Sequence, residues 1–104
     1  MTSERYVFTA SRWTGGNLLF PVRIEITPEL VARVKPHLIG SDEESMPISK
    51  VASVHIHTGL IWSDVKIESS GGTDPIMSHG HRKEDARRMR DLIEGLQQQR
   101  SEQT

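Results

Sequence analysis

Most of the chain alternates hydrophobic and polar residues with a period of two, which is typical of β-strands that bury one face. Residues 6–11 have the aromatic and β-branched content of a strand, and residues 14–17 have turn chemistry. The strongest alternation covers residues 18–27. These segments together predict a hairpin. The hydrophobic positions of its second strand are Leu18, Phe20, Val22, Ile24 and Ile26.

Residues 27–35 admit two interpretations. Thr27 and Pro28 could open a helix, since Thr is a common N-cap and Pro suits the first turn. Alternatively, a turn leads into a returning strand over residues 30–35. We favour the strand, because Pro36 would end the helix after about two turns, and so short a helix has little stability of its own. The strand is expected to turn Leu30, Ala32 and Val34 inward and Val31, Arg33 and Lys35 outward.

A second, longer hairpin is predicted further along the chain. Residues 48–57 and 60–69 both alternate, and Thr58-Gly59 between them favours a tight turn. The acidic residues 40–45 predict a solvated loop and lack the ligand spacing of an EF-hand calcium loop. A short last strand is expected over residues 75–78. The hairpin is expected to turn Ala52, Val54, Ile56, Ile61, Val65 and Ile67 inward, and His55, His57, Trp62, Asp64, Lys66 and Glu68 outward.

The pattern changes from a strand period to a helix period at Arg82. Apolar residues then recur every three or four positions, which predicts an amphipathic helix that covers an open end of the sheet. They are Ala86, Met89, Ile93 and Leu96. Residues 97–104 contain no apolar side chain and are expected to fray into a disordered polar tail. Residues 1–96 are therefore expected to form a single domain.

Composition narrows the possible functions. The chain has 104 residues, no cysteine and a net charge of -1, so it can build one core but no disulfide framework. A nearly neutral chain has no global field that attracts nucleic acid or an anionic membrane. The apolar runs are too short to span a membrane, and the polar residues 1–5 do not resemble a secretory leader. A cytoplasmic location is therefore expected.

The second half of the chain resembles bacterial pleckstrin-homology-like (PH-like) domains. Its elements follow that family's order: a strand with a lysine and an apolar-x-x-Val pattern (46–54), a glycine hairpin (58–60), a strand ending in Gly71-Gly72, a short strand at 76–77, and a helix opening Lys83-Glu84-Asp85-Ala86. The resemblance implies a mainly β fold, a partly open barrel or roll of about six to seven antiparallel strands in two bent sheets, capped by the C-terminal helix. It also implies binding of lipid headgroups, peptides or proteins.

Several side chains are candidates for partner binding. Trp62 is expected to lie outward, beside His55 and His57 of the opposite strand, and exposed tryptophans are frequent at protein interfaces. Trp13 lies in the first loop, where it could insert into a partner or membrane, although capping of the barrel is favoured. His55 and His57, and likewise His79 and His81, have a spacing that could ligate Zn²⁺ or Cu²⁺. We favour the interpretation that both histidine pairs are simply exposed polar residues, so neither a metal nor a cofactor is predicted.

Basic residues suggest a weaker alternative. Arg23, Arg33 and Lys35 are expected to share the outer face of one hairpin near Arg12, which would make a modest anion patch. Phosphoinositide-binding PH domains carry paired basic residues on the first hairpin, whereas this chain has Trp13-Thr14-Gly15-Gly16-Asn17 there and Arg23 beside Glu25. The arginines of the helix are expected to form a solvated face, so nucleic-acid binding is not predicted.

No catalytic motif is recognisable in the chain, since it has no nucleophile elbow, Walker loop or dinucleotide fingerprint. The sequence therefore predicts a non-catalytic PH-like module that binds a protein partner or assembles with itself, through a sheet edge or an exposed aromatic such as Trp62. The alternative is an anionic ligand or a phospholipid headgroup at a membrane surface.

Overall fold

A computed structural model describes residues 4–14 and 17–103. The described part contains two antiparallel sheets, with strand orders β1-β2-β3-β4 and β5-β6-β7, followed by a C-terminal helix. The mainly β prediction is confirmed, although the described strands do not close into a barrel. The elements are β1 (Tyr6–Thr9), β2 (Arg23–Ile26), β3 (Leu30–Pro36), β4 (Ser41–Pro47), a 3-10 turn (Ile48–Lys50), β5 (Val51–Thr58), β6 (Trp62–Ser69), β7 (Ile76–Arg82) and α1 (Lys83–Gln103).

The core lies between the two sheets and is covered by α1. Ala86, Met89 and Ile93 of the helix are fully buried, and Leu96 packs against them, so the predicted apolar stripe is confirmed. Burying each large aliphatic side chain stabilises the fold by roughly 1.5–3 kcal/mol. The buried side chains supplied by the strands include Phe8, Ile24, Ile26, Val31, Met46, Val65, Ile67 and Ile76.

The acidic segment predicted as a loop is instead strand β4. It pairs with β3 over its whole length, from Pro36 opposite Ser41 to Leu30 opposite Pro47. Most of its side chains are exposed, so it shows no alternation of hydrophobic residues from which a strand could have been predicted. The cross-strand ion pair between Arg33 Nη1 and Glu44 Oε1, at 3.2 Å, is consistent with this register.

Strand β3 confirms the strand interpretation of residues 30–35, and Val34 is buried as predicted, but Val31 was expected outward. Val31 is fully buried, because it lies opposite the buried Ile26 and Met46. Arg33 lies on the same face as Val31, and its Nε is buried without a partner. The adjacent alternating segment is also shorter than predicted: only Arg23–Ile26 is strand, and Leu18 lies exposed before it.

Hydrogen bonds hold the connection between β1 and β2 in place. Asn17 is buried; its Oδ1 accepts a hydrogen bond from Val22 N–H at 2.9 Å, and its Nδ2 donates to Thr14 Oγ1 at 2.7 Å. Ser11 N–H donates to Gly80 O of β7 at 2.8 Å, which joins the two sheets. Gly80 has a φ of 84° and packs so closely on Thr14 that a Cβ would overlap it. The glycines of the predicted turn at 15–16 lie outside the described residues.

Two β-bulges change which side chains face the core. The irregularity at 51–53 buries Val51 and leaves Ala52 exposed, the reverse of the predicted faces. The irregularity between β6 and β7 separates His79, which is exposed, from His81, which is buried. Ile61 was expected inward but lies exposed in the β5–β6 turn. An inserted residue reverses the faces beyond it, which a strict period of two cannot anticipate.

Helix α1 continues through most of the segment that was expected to fray. Gln97 anchors this part, because its Nε2 donates to Val51 O at 2.6 Å and to Ile48 O at 3.2 Å. No helix in the described ranges is long and apolar enough to cross a membrane.

Candidate interaction surface

The outer face of the β5–β6–β7 sheet collects three of the candidate partner-binding residues. His57 lies opposite Asp64, His55 opposite Lys66, and Lys66 opposite Met77 of β7. Directly paired residues point to the same face of a sheet. Trp62 belongs to this face as well, since it precedes Asp64 by two residues on β6. We call this surface the histidine face.

A cavity of about 350 Å³ opens on the histidine face. His55 Nε2 lies 3.4 Å from Glu68 Oε1 at its margin, and Lys66 Nζ lies 3.7 Å from the same oxygen. His79 joins this cavity, which the sequence analysis missed because it paired His79 with His81. The lining residues are His55, His57, Asp64, Val65, Lys66, Met77, Ser78 and His79.

Within the described part of the chain, the histidines of this face are not grouped as metal ligands. Among the described side chains, no group of three or more His, Asp or Glu could hold a metal ion. The second predicted histidine pair is divided by the β7 bulge, so His81 lies in the core while His79 lies outside.

The two tryptophans line the same cleft, which lies beside the start of α1. Trp13 is 84% exposed, so it does not cap the core as favoured from the sequence. Trp62 is half-buried and lies opposite Arg82 on β7. Arg12 and Asp85 complete the charged walls of this cleft, which has a volume of about 400 Å³. Trp13, Trp62 and Arg12 therefore lie together at one end of the histidine face.

The four basic residues proposed as an anion patch do not converge. Lys35 Nζ donates to Phe20 O at 2.6 Å, and Arg33 pairs with Glu44. Arg23 lies opposite Val34, so it points to the other face of the sheet from Arg33. The fourth, Arg12, belongs to the tryptophan cleft.

Arg23 is also bound to an acidic neighbour. Its Nε lies 2.5 Å from Glu25 Oε2, and Arg5 Nη2 lies 2.7 Å from Glu25 Oε1. Burial raises the pKa of Glu25, but the hydrogen bonds from Arg23 and Arg5 outweigh it, and the net pKa of this carboxyl is lowered. Arg23 is therefore engaged within the protein.

Strand β5 leaves one side of its backbone open. Gly59 N–H donates to Trp62 O at 2.9 Å, so residues 59 and 62 form a hydrogen-bonded pair. Hydrogen-bonded pairs alternate with non-hydrogen-bonded pairs along an antiparallel ladder. His57 and His55, two and four residues before Gly59, are therefore the residues whose backbone groups bond to β6. The N–H and C=O groups of Val54, Ile56 and Thr58 therefore point away from β6. We call these groups the β5 edge, and among the described strands β5 pairs with β6 alone.

The side chains beside the β5 edge differ between its two faces. Val54 and Ile56 pack against the core yet remain only partly buried. His55 and His57 are exposed on the histidine face. The sequence of the strand, VASVHIHT, contains no proline and no acidic or basic residue other than histidine.

Exposed apolar side chains concentrate on three connections between strands. The β1–β2 and β3–β4 connections lie at the same end of the first sheet, because its strands run as a meander. The bond from Ser11 to Gly80 brings this end to the end of β7, beside the β5–β6 turn. The exposed side chains are Trp13, Leu18 and Leu19, then Leu38 and Ile39, then Leu60 and Ile61.

His81 belongs to the core and not to the surface. Its Nε2 lies 2.6 Å from Ser78 Oγ, while its Nδ1 and the Oγ of Ser63 opposite it are buried without partners. Burial, and to a smaller extent the nearby His79, lowers the pKa of His81 to about 4, so the imidazole is neutral at pH 7. It contributes to stability and is not accessible to a partner.

Comparison with known proteins adds no relative to this description. No family model matches the chain, and neither a curated protein nor a solved structure matches it. The functional argument therefore depends on the histidine face and the β5 edge.

Proposed function

We propose that this protein is a non-catalytic, cytoplasmic, PH-like interaction module that binds an extended segment of a partner protein along the β5 edge. The observation that carries the proposal is an eight-residue edge strand without charged residues or proline. Natural proteins usually block such edges with charge, proline or a covering element. An edge left open is suited to strand addition.

Strand addition explains how the two faces of β5 would be used. A docked segment gains backbone hydrogen bonds from Val54, Ile56 and Thr58, each worth about 0.5–1.5 kcal/mol net. Its alternate side chains would pack beside Val54 and Ile56 on one face and beside His55 and His57 on the other. An apolar and acidic alternation suits these neighbours. The tryptophan cleft offers further contacts to residues beyond the strand.

The arrangement of sheets supports the PH-like part of the proposal. A four-stranded and a three-stranded antiparallel sheet, followed by one C-terminal helix, agree with what the sequence resemblance implies. Fold alone does not specify a ligand, so the binding proposal depends on the edge.

A titration followed by residue-resolved NMR tests the proposal. The probe is an eight-residue peptide that alternates valine with glutamate, and the control is the same composition in scrambled order with a central proline. We expect saturable shift changes and slower amide exchange at Val54, Ile56 and Thr58 with the first peptide only. Absence of changes at β5 with either peptide would contradict the proposal.

A matched pair of variants tests the backbone contact directly. Thr58→Pro removes one donor of the β5 edge without removing a hydrogen bond to β6, while Thr58→Ala keeps the donor. We expect weaker peptide binding by Thr58→Pro and unchanged binding by Thr58→Ala. Equal binding by both variants would mean that the peptide does not use this edge.

The apolar connections favour a second candidate function, contact with a phospholipid surface. Leu38, Ile39 and Leu60 are 85%, 91% and 94% exposed, as expected of side chains that insert into the interfacial region of a bilayer. Vesicles of phosphatidylcholine and phosphatidylserine provide the probe. Leu38→Ser with Ile39→Ser should reduce co-sedimentation, whereas Val7→Ser on β1 should not. Equal sedimentation of all variants would exclude this candidate.

A further inference from the structure

We infer that the β5 edge also accepts a second copy of this chain, and that fixed positive charge on its outer face would keep the two copies apart. Two β5 strands would pair antiparallel about a two-fold axis and join two three-stranded sheets into one of six strands. This inference rests on the proposed function, because it uses the same edge.

The β5 edge is complementary to itself. In an antiparallel pair, the outward-bonding residues of one strand meet those of the other. With the axis at Ile56, Val54 meets Thr58 of the partner subunit and Ile56 meets its own copy. With the axis at His55, Val54 meets Ile56 of the partner subunit. Both registers bring together the partly buried aliphatic side chains, so the core would extend across the axis.

Other strand edges are less suited to a second copy. Strand β4 carries Asp42, Glu43 and Glu44, which two copies would oppose to each other. Strand β1 has only four residues, and Gly80 of β7 already accepts a bond from Ser11. Strand β5 combines length with the absence of Asp, Glu, Lys and Arg.

Positive charge beside this pairing would oppose it. Lys66 and Arg82 lie on the histidine face with Asp64 and Glu68, so the two signs balance among these four residues. Lysines in place of His55 and His57 would add two positive charges to this face.

The two-fold axis brings position 55 of the two copies together. His55 lies within one residue of the axis in both registers, so the two copies of its side chain would be near neighbours. Like charges on neighbouring strands are destabilising. We therefore expect lysines at positions 55 and 57 to weaken the pairing while leaving the backbone contacts between β5 and β6 intact.

Sedimentation velocity over a concentration series at pH 8 tests the inference. We expect a monomer–dimer equilibrium for the wild type. His55→Lys with His57→Lys adds fixed positive charge and should raise the dissociation constant about tenfold or more. His55→Gln with His57→Gln adds no charge and should dimerise like the wild type. A wild-type monomer throughout, or equal dimerisation of the two double variants, overturns the inference.

Residue-resolved amide exchange separates this inference from the proposed function. Dimer formation should slow exchange at Val54, Ile56 and Thr58, and Thr58→Pro should weaken the dimer. A dimer that leaves these amides unprotected uses another surface and overturns the inference. If the valine–glutamate peptide binds at β5 while the chain stays monomeric, the proposed function stands and self-pairing is rejected. If neither occurs, both are rejected.

Discussion

The edge strands β4 and β5 are of similar length but opposite chemistry. Strand β4 has seven residues, including three consecutive acidic ones, and ends in Pro47. Strand β5 has eight residues, and its only ionisable side chains are His55 and His57. Charge and proline oppose the addition of a further strand to the free edge of β4, whereas β5 lacks both features. The difference suggests that one edge is protected against association and the other is available for it.

The largest predicted effect is a loss of stability in acid, which arises in the core and not at the β5 edge. The pKa of His81 is about 4 in the folded protein, against an ordinary value of 6.5. The unfolded chain therefore takes up this proton first as the pH falls. Stability from the neutral imidazole is fully present above pH 6.5 and is lost progressively down to about pH 4. The loss amounts to about 3 kcal/mol.

Chemical denaturation from pH 8 to pH 4 measures this loss. His81→Gln should flatten the pH dependence of the unfolding free energy, although it lowers stability at pH 7. Met77→Gln, which alters an exposed and non-ionisable side chain of the same strand, should leave the pH dependence unchanged. An unaltered slope in His81→Gln would assign the acid response to other groups.

A second prediction concerns the junction between the two sheets. Gly80→Ala combines an unfavourable positive φ with an overlap against Thr14, so it should cost about 2–4 kcal/mol. Gly40→Ala is the matched control, because Gly40 has a φ of 83° and no neighbour near the added methyl. It should cost about 1–2 kcal/mol. Equal losses of stability in the two variants, measured by thermal unfolding, would mean that the β1–β2 connection moves away from the added methyl group at no energetic cost.

A third prediction tests the protection of β4. Asp42→Thr with Glu43→Thr removes two of the three acidic side chains of β4 and brings this edge closer to the chemistry of β5. We expect new self-association of this variant. Its dissociation constant should be about tenfold lower than that of the native chain, which corresponds to about 1.4 kcal/mol. Glu29→Thr removes an exposed charge from a turn and serves as the control. If light scattering finds no new association, charge is not what closes β4.

The contrast between these edges also explains which parts of the fold the sequence could predict. Alternation located β5 and β6 within a few residues, and the helical period located α1, because each buries one regular face. Strand β4 was missed because nearly all its side chains are exposed. A strand of that kind is specified by its pairing with β3, which no local pattern records.

The candidate surface was predictable to a similar degree. Trp62, His55 and His57 were expected on one face and lie there, because the β5–β6 register follows from the turn. The position of His79 depends on a bulge, and that of Trp13 on the long β1–β2 connection. The anion patch required Arg33 and Arg23 on one face, which the observed register of β3 does not allow.

The smallest predicted effect concerns the place where β5 begins. Gln97 donates to Val51 O and so covers the first carbonyl of this edge strand. Gln97→Leu removes the donor and leaves that carbonyl to water, which should cost about 1 kcal/mol. Gln98→Leu, one residue further along the helix and exposed, is the control. Amide exchange should rise across residues 98–103 in Gln97→Leu only, because these bonds anchor the polar end of α1. Equal exchange in both variants would show that this end of the helix persists without the contact.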